Sequence, residues 1–158
     1  MTKRKVRREP AVDALVELAK GLAHPARLRL LGMLASGELC VCQLTAVLEL
    51  AASTVSQHLA VLERGGLVGE RKEGKLVFYR LREGPAAADF LEPLLARLAG
   101  DPRIRADRAL VARLRRVPIA RLCAAELDLV AIGVRKPACM PGSGRARLSH
   151  SKWMPSAS

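Results

Sequence analysis

Cys40 and Cys42 stand one residue apart in the string Gly37-Glu-Leu-Cys-Val-Cys-Gln-Leu44, and they are the pair in this 158-residue chain best suited to chemistry. A thiolate is a soft donor, matched to thiophilic ions. At about 100° of turn per helical residue, positions two apart point about 200° apart. One small ion therefore cannot take both sulfurs from an undistorted helix. The pair sits at an expected helix start, where free N–H groups and the helix dipole favour thiolate. A soft ion takes both only by unwinding that first turn. Two other readings stay open: a dithiol redox switch, against which the small strained ring of a Cys-x-Cys disulfide counts, and two small apolar residues.

Two more thiols are present. Cys123 lies in an apolar series with Ile119, Leu127 and Val130, so it reads either as a small buried hydrophobe or as a donor held in place by its helix. Cys139 lies beside Lys136, Pro137 and Met140 in an expected flexible tail, where a thiol is reactive. It folds over a site only at a cost of roughly 1–2 kcal/mol per ordered residue. Four cysteines are too few for a disulfide scaffold at this length. Asp13, Glu17 and Lys20 interrupt any apolar run after the basic start, so no secretory signal is expected. In a chain expected in the cytoplasm the cysteines read as reduced thiols, metal ligands or redox sensors.

The elements that must position these thiols follow from periodicity. Leu15, Leu18 and Leu22 mark a helix over 11–22. His24-Pro25 restarts the chain, Leu28, Leu30, Leu31 and Leu34 continue it, and Gly37 closes it. Short helices are expected over 41–48 and 52–64, the latter ended by Gly65-Gly66. From 67 to 81 the period drops to two, with Glu73-Gly74 as a hairpin turn. Further helices are expected over 86–99, from Pro102 to about Val117, and from Pro118 to about Ile132. Helix, short helix, turn, helix, basic hairpin is the order of a winged helix-turn-helix.

The fourth helix crowds Ser53, Thr54, Ser56, Gln57 and His58 into its first turns. Hydroxyls there suit phosphate oxygens, and Gln57 suits an adenine edge. Arg71, Lys72 and Lys75 follow on the hairpin. These eight residues form the expected DNA contact set, with His58 also read as a structural hydrogen-bonding side chain. The net charge of +12 agrees but is unevenly spread: +4 over 1–9, −1 over 10–96, +4 over 97–133 and +5 over 134–158. The neutral middle means that the DNA reading rests on the helix and hairpin rather than on bulk charge. With no phosphate loop, cofactor motif or nucleophile–base pairing in sight, an enzyme using the dithiol is disfavoured and no organic cofactor is expected. No apolar run reaches the ~18 residues of a membrane helix, and no membrane partner is expected.

Leu22-Ala-His-Pro-Ala-Arg-Leu-Arg-Leu-Leu31, Glu38-Leu-Cys-Val-Cys42, Ser53-Thr-Val-Ser-Gln-His-Leu59, Gly65-Gly-Leu-Val68 and Glu73-Gly-Lys-Leu-Val-Phe-Tyr-Arg80 together resemble the arsenic-repressor (ArsR/SmtB) family of bacterial winged-helix metalloregulators. The resemblance covers residues 11–82 well, the next helix loosely and residues 100–158 hardly at all. It implies a dimeric repressor of operator DNA, released when As(III) or Sb(III) binds Cys40 and Cys42. The family's arsenic pattern has a third Cys where this chain has Thr45, a poor ligand for a thiophilic ion. The third sulfur is then expected from Cys123, or alternatively from Cys139 or a solvent thiol. Ala51-Ala52 replace the usual Ser-Gln, leaving a poor N-cap by ~1 kcal/mol. Residues 1–39 hold no Cys, unlike the cadmium/lead type, and residues 86–132 hold no His, unlike the zinc type. A redox-, persulfide- or cadmium/lead-responsive repressor of the same fold is the alternative.

The expected architecture is mainly α with a small β-hairpin, a dimeric winged helix-turn-helix with extra C-terminal helices and a flexible tail. Its parts are a basic arm (1–10), a DNA-binding and dimerisation domain (11–99), a helical extension (100–133) and a disordered basic tail (134–158).

Overall fold

His24 stops the first helix and starts the second: its extended backbone turns the chain, its Nδ1 accepts the Ala26 N–H at 3.1 Å, and Pro25 follows at the first helical position. Such local signals set most boundaries in the computed structural model, which describes residues 11–136 except for the side chains of 85–88. The elements are α1 (Ala11–Leu22), α2 (Pro25–Leu34), β1 (Leu39–Cys40), α3 (Val41–Leu48), α4 (Ala52–Arg64), β2 (Val68–Glu73), β3 (Leu76–Leu81), α5 (Pro85–Leu98), α6 (Pro102–Leu114) and α7 (Ile119–Ala124). The winged helix-turn-helix expected from the sequence is present. The expected arm over 1–10, Cys139 and the tail from 137 lie outside the described residues.

Helices α3 and α4 cross at 113°, within the usual range for a helix-turn-helix. Their apolar faces meet those of α2: Leu30, Leu31, Met33, Leu44, Val47, Val55, Leu59 and Leu62 are all buried. Each such side chain contributes roughly 1.5–3 kcal/mol relative to exposure. The wing is a two-residue hairpin with Glu73 paired to Leu76 and Gly74 in the left-handed region at φ 59. Glu73 is thus the last strand residue, and the turn is Gly74-Lys75.

Two features depart from the expectation. The sheet has a third strand: β1 adds to the wing in the order β1-β3-β2, with Leu39 paired to Tyr79 and Cys40 to Phe78. The seventh helix ends at Ala124 rather than near Ile132. Glu126 and Leu127 are both left-handed, at φ 50 and 66, which breaks the helix. Asp128 then caps the next turn, accepting the Val130 and Ala131 N–H groups at 2.8 and 3.1 Å. The chain folds back, and Leu129 and Val134 are buried, so residue 134 lies in the core rather than at the start of a tail.

The C-terminal extension is built into the domain. Arg29 on α2 makes a bidentate pair with buried Asp107 on α6, at 2.7 and 2.8 Å. A Cβ on Gly32 would lie 2.8 Å from Ile104, so glycine is what lets α2 and α6 approach this closely. Among the described residues no single helix is long and apolar enough to cross a membrane.

Candidate functional site

The chain reaches its first thiol as a strand and its second as a helix. Cys40 is extended (φ −69, ψ 145) and serves as N-cap of α3, its N–H held by the Gln43 Oε1 at 3.0 Å. Cys42 lies in the first turn of α3. The 200° separation of a regular helix therefore does not apply, because a strand–helix junction lies between the two residues. Cys40 is fully buried, Cys42 half-buried and Cys123 exposed.

Folding brings the distant thiol to the pair. The Cys123 thiol on α7 donates to Cys42 Sγ at 3.5 Å. Of the two sequence readings of Cys123, the buried hydrophobe is overturned: on α7 it is Leu122 that is buried, and Cys123 is exposed. The Cys42 thiol is pushed up to about 12, first by burial, then by the neighbouring thiols of Cys123 and Cys40. The expected preference for thiolate at the helix start is thus reversed for Cys42, because desolvation and two sulfur neighbours outweigh the dipole of a two-turn helix. Among the described residues, no three His, Cys, Asp or Glu side chains stand in a ready-made metal geometry. What is assembled is the Cys42–Cys123 pair, with buried Cys40 two residues away. The donor set is sulfur only, which suits a thiophilic ion.

The same junction is wired to the wing. Cys40 pairs with Phe78 on β3. Glu38, two residues earlier, accepts Arg71 Nη2 at 2.6 Å and Nε at 3.2 Å. Arg71 also donates to Glu73 at 2.6 Å and lies 4.9 Å over the Phe78 ring. Sequence spacing gave no sign of the Glu38–Arg71 link, since 33 residues separate the two. Arg71, expected at DNA, is here held between two carboxylates. Lys72 lies 3.6 Å from Glu70, and Lys75 is exposed at the wing tip.

On α4, Ser53, Ser56 and Gln57 are exposed and Thr54 partly so, while Val55, Leu59 and Leu62 face the core. Ala51 offers no side-chain cap. His58 stacks on His24 with ring centroids 4.4 Å apart. Burial, then His24 and Arg27, hold the His58 imidazole below its usual range. That places His58 against the residue that opens α2, in a ring contact with His24 rather than in the side-chain hydrogen bond expected.

Residues 24–70 match the model of the bacterial regulatory protein, arsR family. The chain is 51% identical over 70 residues to the biofilm growth-associated repressor of Agrobacterium fabrum, covering 44% of this chain and 60% of that protein. It is 45% identical over 67 residues to the arsenical resistance operon repressor of Escherichia coli, covering 42% and 57%. The match thus spans less than two thirds of either relative. The solved structure of HlyU from Vibrio cholerae is 43% identical and superposes with a TM-score of 0.50, covering 59% of this chain and 99% of that one. These relatives are regulators rather than enzymes, and the matched region holds α2, α3, α4 and the start of the wing. The chain has the winged helix-turn-helix fold, and it belongs to the arsR family of bacterial regulatory proteins.

Proposed function

We propose that this regulator represses transcription as a cytoplasmic homodimer on operator DNA and leaves the operator when As(III) or Sb(III) binds its thiols. The observation that carries the reading is the Cys42–Cys123 contact at 3.5 Å, next to Cys40, a set of sulfur donors. Cys42 and Cys123 would hold the ion first, being accessible, and Cys40 would complete a three-sulfur set. A bound trivalent metalloid supplies a single centre that prefers sulfur ligands. Everything else is done by the chain. Cys40 is buried on β1 with its thiol beside Cys42, so drawing its sulfur onto a shared ion loosens the β1–β3 ladder and the Glu38–Arg71 link. Cys42 lies on the helix that supports α4. One site thereby disturbs both the wing and the reading helix.

The DNA contacts follow from exposure. Ser53, Thr54, Ser56 and Gln57 face outward for base edges and phosphates, and Lys72 and Lys75 reach flanking phosphates. Dimerisation uses α1 and α5. Val12, Leu15 and Val16 are 70%, 50% and 45% exposed and Phe90 is 44% exposed, an apolar face that a second copy would cover.

The test is a titration of purified protein with As(III), read by sulfur-to-arsenic charge-transfer absorbance and by operator binding. Cys42→Ser and Cys123→Ser should each keep operator binding and lose release. Full As(III) release in both variants would remove the site from this pair.

A second reading is favoured by the same 3.5 Å contact between two thiols. Here hydrogen peroxide oxidises the pair: two thiols lose two electrons and two protons, an S–S bond forms, and the peroxide is reduced to two waters. Release by peroxide without metalloid would select it.

A further inference from the structure

The thiol pair marks only one end of α3, and the chain that carries Cys123 also holds the other end. After α7 the backbone runs back along α3 to Arg135, whose guanidinium pairs with the Glu49 carboxylate. Glu49 is the residue that ends α3. It is left-handed at φ 56, its N–H bonds Thr45 O at 3.0 Å, and Leu50 and Ala51 alone separate it from α4.

The returning segment is stiff. Asp128 ties its first turn. The N–H groups of Val134 and Arg135 both bond Leu129 O at 2.8 Å. Arg113 Nη1 holds Val134 O at 3.1 Å, and Leu129 and Val134 are buried. A displacement at Cys123 is therefore passed along rather than absorbed. The segment also arches over α3, leaving a cavity of about 270 Å³ bordered by Thr45, Ala46 and Leu50 on one side and Glu126 and Leu129 on the other. That space lets it shift without unpacking α3.

We infer that residues 123–136 form a strap that transmits the state of the Cys42–Cys123 pair to the turn before the recognition helix, with Arg135 as the positioning residue acting through Glu49. The inference rests on the thiol-sensing reading above. When a disulfide closes the 3.5 Å gap to about 2.05 Å, or a metalloid fixes both sulfurs on one centre together with Cys40, α7 moves against the start of α3. The strap pulls Glu49 and reorients the first turn of α4, where Ser53, Ser56 and Gln57 sit. The Glu49 side chain is 66% exposed, and an ion pair so exposed adds little to stability. Removing it leaves the fold in place and isolates the coupling.

The experiment uses the full chain and a duplex that the wild-type protein selects from random DNA. Operator affinity is measured for the reduced protein, the As(III)-bound protein and the Cys42–Cys123 disulfide made with diamide. Wild type should lose affinity in one or both of the latter states by a factor on the order of 5 to 150. Arg135→Ala and Glu49→Gln should each keep reduced-state affinity and As(III) stoichiometry while that factor falls toward one. Retention of the wild-type factor by either variant overturns the strap. If As(III) fails to release wild type but the disulfide does, the metalloid reading fails and the strap is judged on the disulfide arm. Release by neither overturns both.

Discussion

Asp107, only 4% exposed on α6, accepts two N–H groups of Arg29 on α2, from Nε and Nη2, and this pair anchors the C-terminal extension that brings Cys123 to Cys42. Asp107→Ala leaves a guanidinium that is 29% exposed and can hydrate in part. Two hydrogen bonds between charged groups are lost, and the expected cost is about 2 kcal/mol. Thermal unfolding should fall by roughly 4–8 °C. Diamide should close the Cys42–Cys123 disulfide more slowly in this variant than in wild type. An unchanged closing rate would show that α7 is held without α6.

The Cys42 thiol, pushed up to about 12, stays protonated at neutral pH. Arsenite near neutrality is uncharged As(OH)₃, and each S–As bond formed from a thiol releases water rather than a proton. A divalent cation must instead displace protons. As(III) affinity should therefore stay flat between about pH 6 and 8, while Cd(II) affinity rises about tenfold per pH unit for each proton displaced. Calorimetric titration in buffers of different ionisation enthalpy counts those protons. Equal pH slopes for the two ions would contradict this.

At the DNA face, charge and reading separate. Lys75→Ala should weaken binding to all sequences alike and lower the salt slope by about 1. Arg71→Ala should lower it less, because Glu38 and Glu73 already neutralise Arg71. Gln57→Ala should change sequence preference, seen by repeating the selection from random DNA. A uniform loss in Gln57→Ala, with no altered preference, would assign Gln57 to the backbone.

Val16 is exposed on the apolar side of α1. Val16→Glu should leave the monomer folded by circular dichroism and shift sedimentation from dimer to monomer at micromolar protein. Operator affinity should fall with it, since each protomer reads one half-site. A dimer unaffected by this change would place the interface elsewhere.

How much of this was legible in the sequence differs by element. Helices α1 to α4 and the wing were, because their signals are local: Pro25 at a helix start, a leucine stripe at 3.6-residue spacing, alternation over Leu76–Tyr79, glycine at the hairpin. The exposed polar face of α4 followed from the same periodicity. The Cys-x-Cys pair could be seen as a site, but its geometry could not. Whether Cys40 is helical depends on pairing with Phe78, 38 positions later, and a two-residue strand has no periodicity of its own. The end of α7 is hidden in the sequence, because apolar residues continue at helical spacing past the left-handed Glu126 and Leu127.

The contacts on which the proposed function rests are set by tertiary structure alone. The thiol of Cys123 reaches Cys42 across 81 residues, Arg71 reaches Glu38 across 33, and Arg135 reaches Glu49 across 86. Each joins side chains on different elements, so it depends on how α6 and α7 dock on α2 and α3. That docking is fixed by packing at Gly32 and Ile104 and by the Arg29–Asp107 pair, whose partners carry no sequence mark of one another. Local propensity determined which segments are helix and wing. Close packing between segments remote in sequence determined which sulfur, carboxylate and guanidinium meet.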